Sequence, residues 1–222
     1  WLLGDQFDSV MNYPFSGKVM QFFSQPDVDG YSFANAMGRL LMRYPQQANE
    51  VIFNMLCSHD TARALTMCGD DKRKLKLAVV FLLTYIGTPC IFYGDEIGLK
   101  GGGDPDCRRS MEWDPNKRDN ELLDFYKMMI RLRKENKALR AGRFRFLHAE
   151  PGDRRILYER MDGETHFLIW MNNSDQPTTF SHEIRTDDWR DALTGQPVRT
   201  KDGVMSFDLA PYDYRIVCRN LR

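Results

Sequence analysis

Apolar positions along the chain change their period from one stretch to the next. Over residues 31–44 they fall at Phe33, Met37, Leu40, Leu41 and Tyr44, the spacing of one helix face, and Pro45 closes the run. Val51-Ile52-Phe53 is instead continuous, leads through Asn54-Met55-Leu56-Cys57, and stops at Ser58-His59-Asp60. That is the pattern of a strand buried on both faces and ending in polar side chains. A short helix over residues 61–66 follows. Asp70-Asp71 then opens a longer helix through Ala78, Phe81, Leu82 and Tyr85, with Gly87 as its stop. A second continuous run, Cys90-Ile91-Phe92-Tyr93, ends in Gly94-Asp95-Glu96. Residues 8–13 read as an earlier strand followed by a loop at Pro14, and residues 15–23 as a short helix. Residues 120–136 read as the last long helix. Alternating strands and helices imply a parallel sheet with helical crossovers.

Beyond residue 142 the texture shifts to short strand-like runs at 144–147, 156–159, 167–171, 178–180, 204–209 and 214–218. Asp162-Gly163 and Asp202-Gly203 lie among them as hairpin signals. The expected architecture is an α/β part over residues 1–141 and an all-β antiparallel sandwich over 142–222.

Composition narrows the function classes. Lys plus Arg equals Asp plus Glu at 31 each, which gives no support for a nucleic-acid partner. The longest apolar segment, residues 77–86, is about half the ~20 residues a membrane span needs. The five cysteines are scattered, with no Cys-x-x-Cys pair. That argues against a structural zinc site and favours a reducing, cytoplasmic compartment. No spacing suggests another metal or a cofactor. The chain opens Trp1-Leu2-Leu3-Gly4, with neither Met nor a signal-peptide pattern, as though entered in mid-stream.

In a parallel α/β barrel the chemistry sits at the C-terminal ends of the strands. His59 and Asp60 stand at such an end and are site candidates; Ser58 or Asp60 could equally cap the next helix. Asp95 and Glu96 end the other run, where loop hydrogen bonding and capping are the better reading.

Several of these stretches resemble the α-amylase family of glycoside hydrolases. Asn54-Met55-Leu56-Cys57-Ser58-His59-Asp60 is similar to the family segment ending in His-Asp. Gly87-Thr88-Pro89-Cys90-Ile91-Phe92-Tyr93-Gly94-Asp95-Glu96-Ile97-Gly98 resembles the eighth barrel strand, and residues 5–15 the sixth. Gly102-Gly103-Asp104-Pro105-Asp106-Cys107-Arg108 and Met111-Glu112-Trp113-Asp114 resemble the neopullulanase, cyclomaltodextrinase and maltogenic amylase branch. The resemblance implies a partial TIM barrel, strands six to eight, followed by the C-terminal β-sandwich. Asp60 then matches the aspartate that stabilises the transition state, and His59 its sugar-binding neighbour. Asp104 and Arg108 match a pair that grips a glucose one or two units from the cut; a salt bridge closing on itself is the alternative. Tyr13 and Tyr93, at strand ends, could stack on a sugar or simply pack.

The family's nucleophile and acid are not matched within the chain, and by resemblance they lie before Trp1. The expectation is an α-glucan hydrolase in the parent protein, an inactive isolated chain that needs the N-terminal barrel part, and association through open strand edges. The rival expectation is a non-catalytic sugar-binding or interaction module on the same scaffold. One departure stands out: the family's usual proline in residues 108–111 is absent, leaving Arg108-Arg109-Ser110-Met111 and implying a less rigid loop.

Overall fold

The computed structural model describes residues 1–3, 5–184 and 186–221. Its first part is mainly helical. Helix α1 (Tyr13–Ser24) is capped by Asn12, whose side chain accepts from the Phe15 amide, and Pro14 sits in its first turn. Helix α2 (Gly30–Arg43) is capped by Asp29, and α3 (Gln46–Val51) follows Pro45. Strand β1 (Phe53–Met55), the short α4 (Ala64–Met67), α5 (Lys72–Thr84) and β2 (Thr88–Cys90) come next. Helices α6 (Asn120–Glu135) and α7 (Lys137–Ala141) complete this part. β1 and β2 pair in parallel, Phe53 opposite Thr88 and Met55 opposite Cys90.

The strand expected at residues 8–13 is reduced to one parallel bridge, Met11 to Phe53. The Asn12 amide donates to Phe53 O at 2.8 Å, and the Phe53 amide to Val10 O at 3.1 Å. The chain then leaves the sheet because Asn12 and Pro14 already start α1. Val51 ends a helix rather than starting a strand, and Ile91 and Phe92 lie beyond the end of β2.

Residues 143–220 hold the remaining strands: β3 (Arg143–Ala149), β4 (Arg155–Met161), β5 (Thr165–Asn172), β6 (Thr178–Glu183), β7 (Arg190–Asp191), β8 (Val204–Leu209) and β9 (Asp213–Asn220). A five-stranded sheet runs β3-β4-β5-β9-β7, and β6 pairs with β8 in a second sheet. All these pairings are antiparallel.

The larger sheet is covered on both faces. Ile156, Tyr158, Phe167, Ile169, Met171 and Ile216 join the helical part in one continuous core with Phe15, Phe33 and Phe81. Their strand neighbours Leu157, Leu168, Trp170 and Val217 point the other way, into a second cluster with Phe180, Trp189, Met205 and Leu209. Period-two alternation therefore feeds two cores from the same strands.

Buried polar groups stitch the seam. The Arg160 guanidinium donates to Thr84 O and Gly142 O, and Tyr158 and Thr84 share a hydroxyl hydrogen bond of 2.6 Å. Burial lowers Arg160 to about 9. Arg154 reaches Phe22 O at 2.8 Å, and Asp29 accepts from both Ser32 N and Gly152 N at 2.8 Å. No helix among the described residues is long and apolar enough to cross a membrane.

Candidate active-site rim

The rim is built on three parallel segments held in register by side-chain amides. Asn54 is 1 % exposed in the middle of β1. Its Oδ1 accepts from Asn12 Nδ2 at 2.8 Å, and its Nδ2 donates to Ile86 O at 2.7 Å. Gly87 makes the entry to β2 possible: its φ is +100°, and a Cβ there would stand 2.6 Å from Asn54 Nδ2 and 2.8 Å from Ile52 O.

Past β1 the chain turns outward. Ser58 N donates to Thr61 Oγ1 at 3.0 Å, and Ser58 Oγ accepts from Asp60 N at 3.1 Å. This turn projects His59 and Asp60, whose side chains are 56 % and 54 % exposed. The capping alternative for Asp60 does not hold in the structure. Helix α4 begins after Arg63 and has no side-chain cap. The helix expected at 61–66 thus starts later, because residues 58–61 are spent on the turn.

Both Asp60 oxygens face donors. Tyr13 Oη donates to Oδ2 at 2.8 Å and also lies 3.1 Å from Ser58 Oγ. His59 Nε2 lies 3.3 Å from Oδ1, and Arg108 Nη2 3.8 Å from the same oxygen. Arg108 Nε is shared between Asp104 Oδ1 at 2.9 Å and His59 O at 3.1 Å. The Asp104–Arg108 pair thus does close on itself, but its guanidinium also leans on the Asp60 turn. Five of the six sequence candidates, Tyr13, His59, Asp60, Asp104 and Arg108, therefore meet. Tyr93 stands apart: its hydroxyl donates to Arg109 O at 2.8 Å, and its ring lies over Arg63.

The loop carrying Asp104 and Arg108 folds tightly on itself. Gly101 and Gly102 precede a single 3-10 turn, Asp106–Arg108, and Gly102 N donates to Asp106 Oδ2 at 2.6 Å. A Cβ on Gly101 would stand 2.5 Å from Asp106 O. Bonds from Arg109 and the Gly102 amide hold the Asp106 carboxyl below its ordinary range.

Under the rim lies a polar cluster. Arg63 is fully buried and Asp95 is 5 % exposed; Arg63 Nη1 lies 3.4 Å from Asp95 Oδ1. Cys57 Sγ donates to Asp95 Oδ2 at 2.8 Å. Burial lifts the Asp95 carboxyl to about 6, against the lowering effect of Cys57 and Arg63. Sequence reasoning gave Arg63 no role. Its partners lie 30 to 44 residues away, and several are backbone carbonyls that leave no trace in side-chain pattern.

Fixed carboxylate oxygens, an imidazole and a planar guanidinium, side by side on an open face, offer acceptors and donors together. Such a surface suits a ligand rich in vicinal hydroxyls. Residues 1–142 match the family model for the α-amylase catalytic domain, and residues 144–216 match that for the maltogenic amylase C-terminal domain. The chain belongs to the α-amylase family. It is 56 % identical over 173 residues to a cyclomaltodextrinase of a Bacillus species, covering 78 % of this chain and 31 % of that protein. It is 41 % identical over 220 residues to neopullulanase 2 of Thermoactinomyces vulgaris, covering 98 % and 38 %. A solved cyclomaltodextrinase superposes with a TM-score of 0.91 at 45 % identity, again over 98 % of this chain and 38 % of that one. The chain therefore spans about a third of the length of the curated relatives it matches.

Proposed function

We propose that this chain is the C-terminal part of an α-glucan-degrading, retaining glycoside hydrolase acting on cyclomaltodextrin, pullulan or starch oligosaccharides. In this reading Val10 to Asn12, β1 and β2 are barrel strands six, seven and eight, and residues 142–222 form the C-terminal β-domain. The observation that carries it is the Asp60 carboxylate, half exposed at a strand end with its orientation fixed by Tyr13 Oη at 2.8 Å. An anionic oxygen held there stabilises positive charge developing on a sugar ring, and its bonds to hydroxyls strengthen as that charge grows. His59 binds beside it. Asp104 and Arg108 hold the next glucose, and Tyr93 supports their loop.

Retaining hydrolysis also needs a nucleophile and an acid about 5 Å apart across the bond. We assign both to residues outside this chain, in line with the one-third coverage of its relatives. The apolar side chains Leu3, Phe7, Met11 and Val51, exposed beside the Met11–Phe53 bridge, suit an edge that the rest of a barrel would cover.

The test is Asp60→Asn in a polypeptide carrying both this chain and the preceding barrel units. Turnover of a maltodextrin should fall by about 10²–10³-fold with the fold unchanged, the scale of one lost transition-state contact. Near-normal turnover would reject the assignment. The isolated chain should hydrolyse nothing and should self-associate in light scattering; a monomer at every concentration would count against the open edge.

A further inference from the structure

We propose that Arg63 is a positioning residue: from beneath the rim it holds the Asp104–Arg108 loop and the turn after β2 in register with His59 and Asp60. The inference rests on the rim reading above and adds to it a residue that touches no ligand.

The Arg63 amide donates to Gly101 O at 2.9 Å, and its Nε donates to Cys107 O at 2.7 Å. Backbone and side chain of a single residue thus clasp the loop at both ends. Nη1 donates to Tyr93 O and faces Asp95, which ties in the turn after β2. The guanidinium lies 4.1 Å from the Phe92 ring centroid and 4.4 Å from that of Tyr93. Arg63 is four residues after His59, whose carbonyl accepts from Cys107 Sγ and Arg108 Nε, both at 3.1 Å. The strand-end loops that carry rim side chains after β1 and β2 are therefore joined through Arg63, with the His59 carbonyl as a second tie.

A stability role alone explains this poorly. A charge taken fully out of water is costly, and apolar side chains of similar volume often fill such a space at no loss. Only a planar fork of donors reaches carbonyls on separate loops at once. The fit is also incomplete: Nη2 is buried without a partner among the described residues. A group kept under those terms is kept for geometry.

The test uses Cys107, fully buried at the far end of the clasp, as the reporter. In the purified chain, iodoacetamide labelling is followed by peptide mass mapping, with Cys218 on β9 as the reference. Arg63→Met should speed Cys107 labelling by about tenfold or more while Cys218 stays within about twofold, the signature of local rather than global opening. Arg63→Lys, whose single ammonium cannot span both Cys107 O and Tyr93 O, should lie between wild type and Arg63→Met. It decides the question if Arg63→Met fails to fold. Wild-type protection of Cys107 in a folded variant, or equal acceleration of both thiols, would overturn the proposal.

A functional arm separates positioning from packing. In the longer hydrolytic polypeptide, Arg63→Lys should raise KM for maltodextrins severalfold with kcat nearly unchanged. A lowered kcat at unchanged KM would overturn it. If that polypeptide has no hydrolytic activity at all, the proposed function falls, and the labelling result still judges Arg63.

Discussion

In the five-stranded sheet, β4 and β5 pair over seven residues and β5 and β9 over eight; β1 and β2 pair over three. The long strands lie between two apolar clusters, and alternation along them supplies both. The short parallel pair has no such ladder and depends on side chains from elsewhere. Asn12 and Asn54 fix its register, and Arg133 donates to Leu83 O at 3.0 Å, Tyr85 O at 2.9 Å and Gly87 O just before β2. The long strands bury apolar side chains on both faces, whereas the half-exposed side chains of the rim follow the short one. A strand end freed from pairing can aim its polar side chains outward, provided something behind it holds still.

The largest loss of stability is expected at the seam. Phe81 packs against Phe15, Phe23, Phe33, Tyr85 and Tyr158. Phe81→Ala should cost about 3–5 kcal/mol in urea unfolding. Because the core is continuous across the seam, helix signal and tryptophan fluorescence should still unfold together. Separate transitions would show that the two parts are independent.

A smaller effect is expected at the shallow sheet. Gly87→Ala should cost about 1–3 kcal/mol, since it combines a left-handed backbone with a Cβ pressed on Asn54. Retained stability would mean that the amide ladder is not tight.

The pH dependence of Asp95 sharpens the contrast further. The folded protein keeps the Asp95 proton up to about pH 6, against an ordinary value of 3.8 in the unfolded chain. Between those values the folded state binds more protons. The stability contributed by this group is therefore full below about 4 and is lost as pH rises through 6. The urea midpoint of wild type minus that of Asp95→Asn should fall between pH 4.5 and 6.5. A flat difference would remove Asp95 from the buried cluster. The smallest change is expected on the helix surface, where Arg131 Nε pairs with Glu135 Oε1 at 2.7 Å and both side chains are largely exposed. Glu135→Ala should leave the urea midpoint indistinguishable from wild type, because solvent screens so exposed a pair.

The helices were readable because caps and periodicity act locally. Asp71 marks the start of α5 as its sequence suggests, and residues 204–209 are a strand both in expectation and in the structure. The parallel strands were overread. A continuous apolar run such as Cys90-Ile91-Phe92-Tyr93 reads as a buried strand, but β2 ends at Cys90, and beyond it Phe92 is half-buried against the Arg63 guanidinium and Tyr93 is exposed. Residues 8–13 failed for another reason: the cap of α1 overrode their strand-like pattern. At the rim, the polar string at 58–60 and the Asp104–Arg108 spacing were visible. What bound them together was not, since His59 acts through its carbonyl as well as its ring.

The buried amide of Asn54 carries one last consequence. Side chains in a strand alternate with every residue, so inserting a single amino acid between Ile52 and Asn54 would put this amide out of phase with Asn12 and Ile86. Everything downstream would advance by about 3.3 Å and rotate to the opposite side of the sheet. Two hydrogen bonds deep in the protein thus act as the ruler from which the reach of a surface carboxylate is measured.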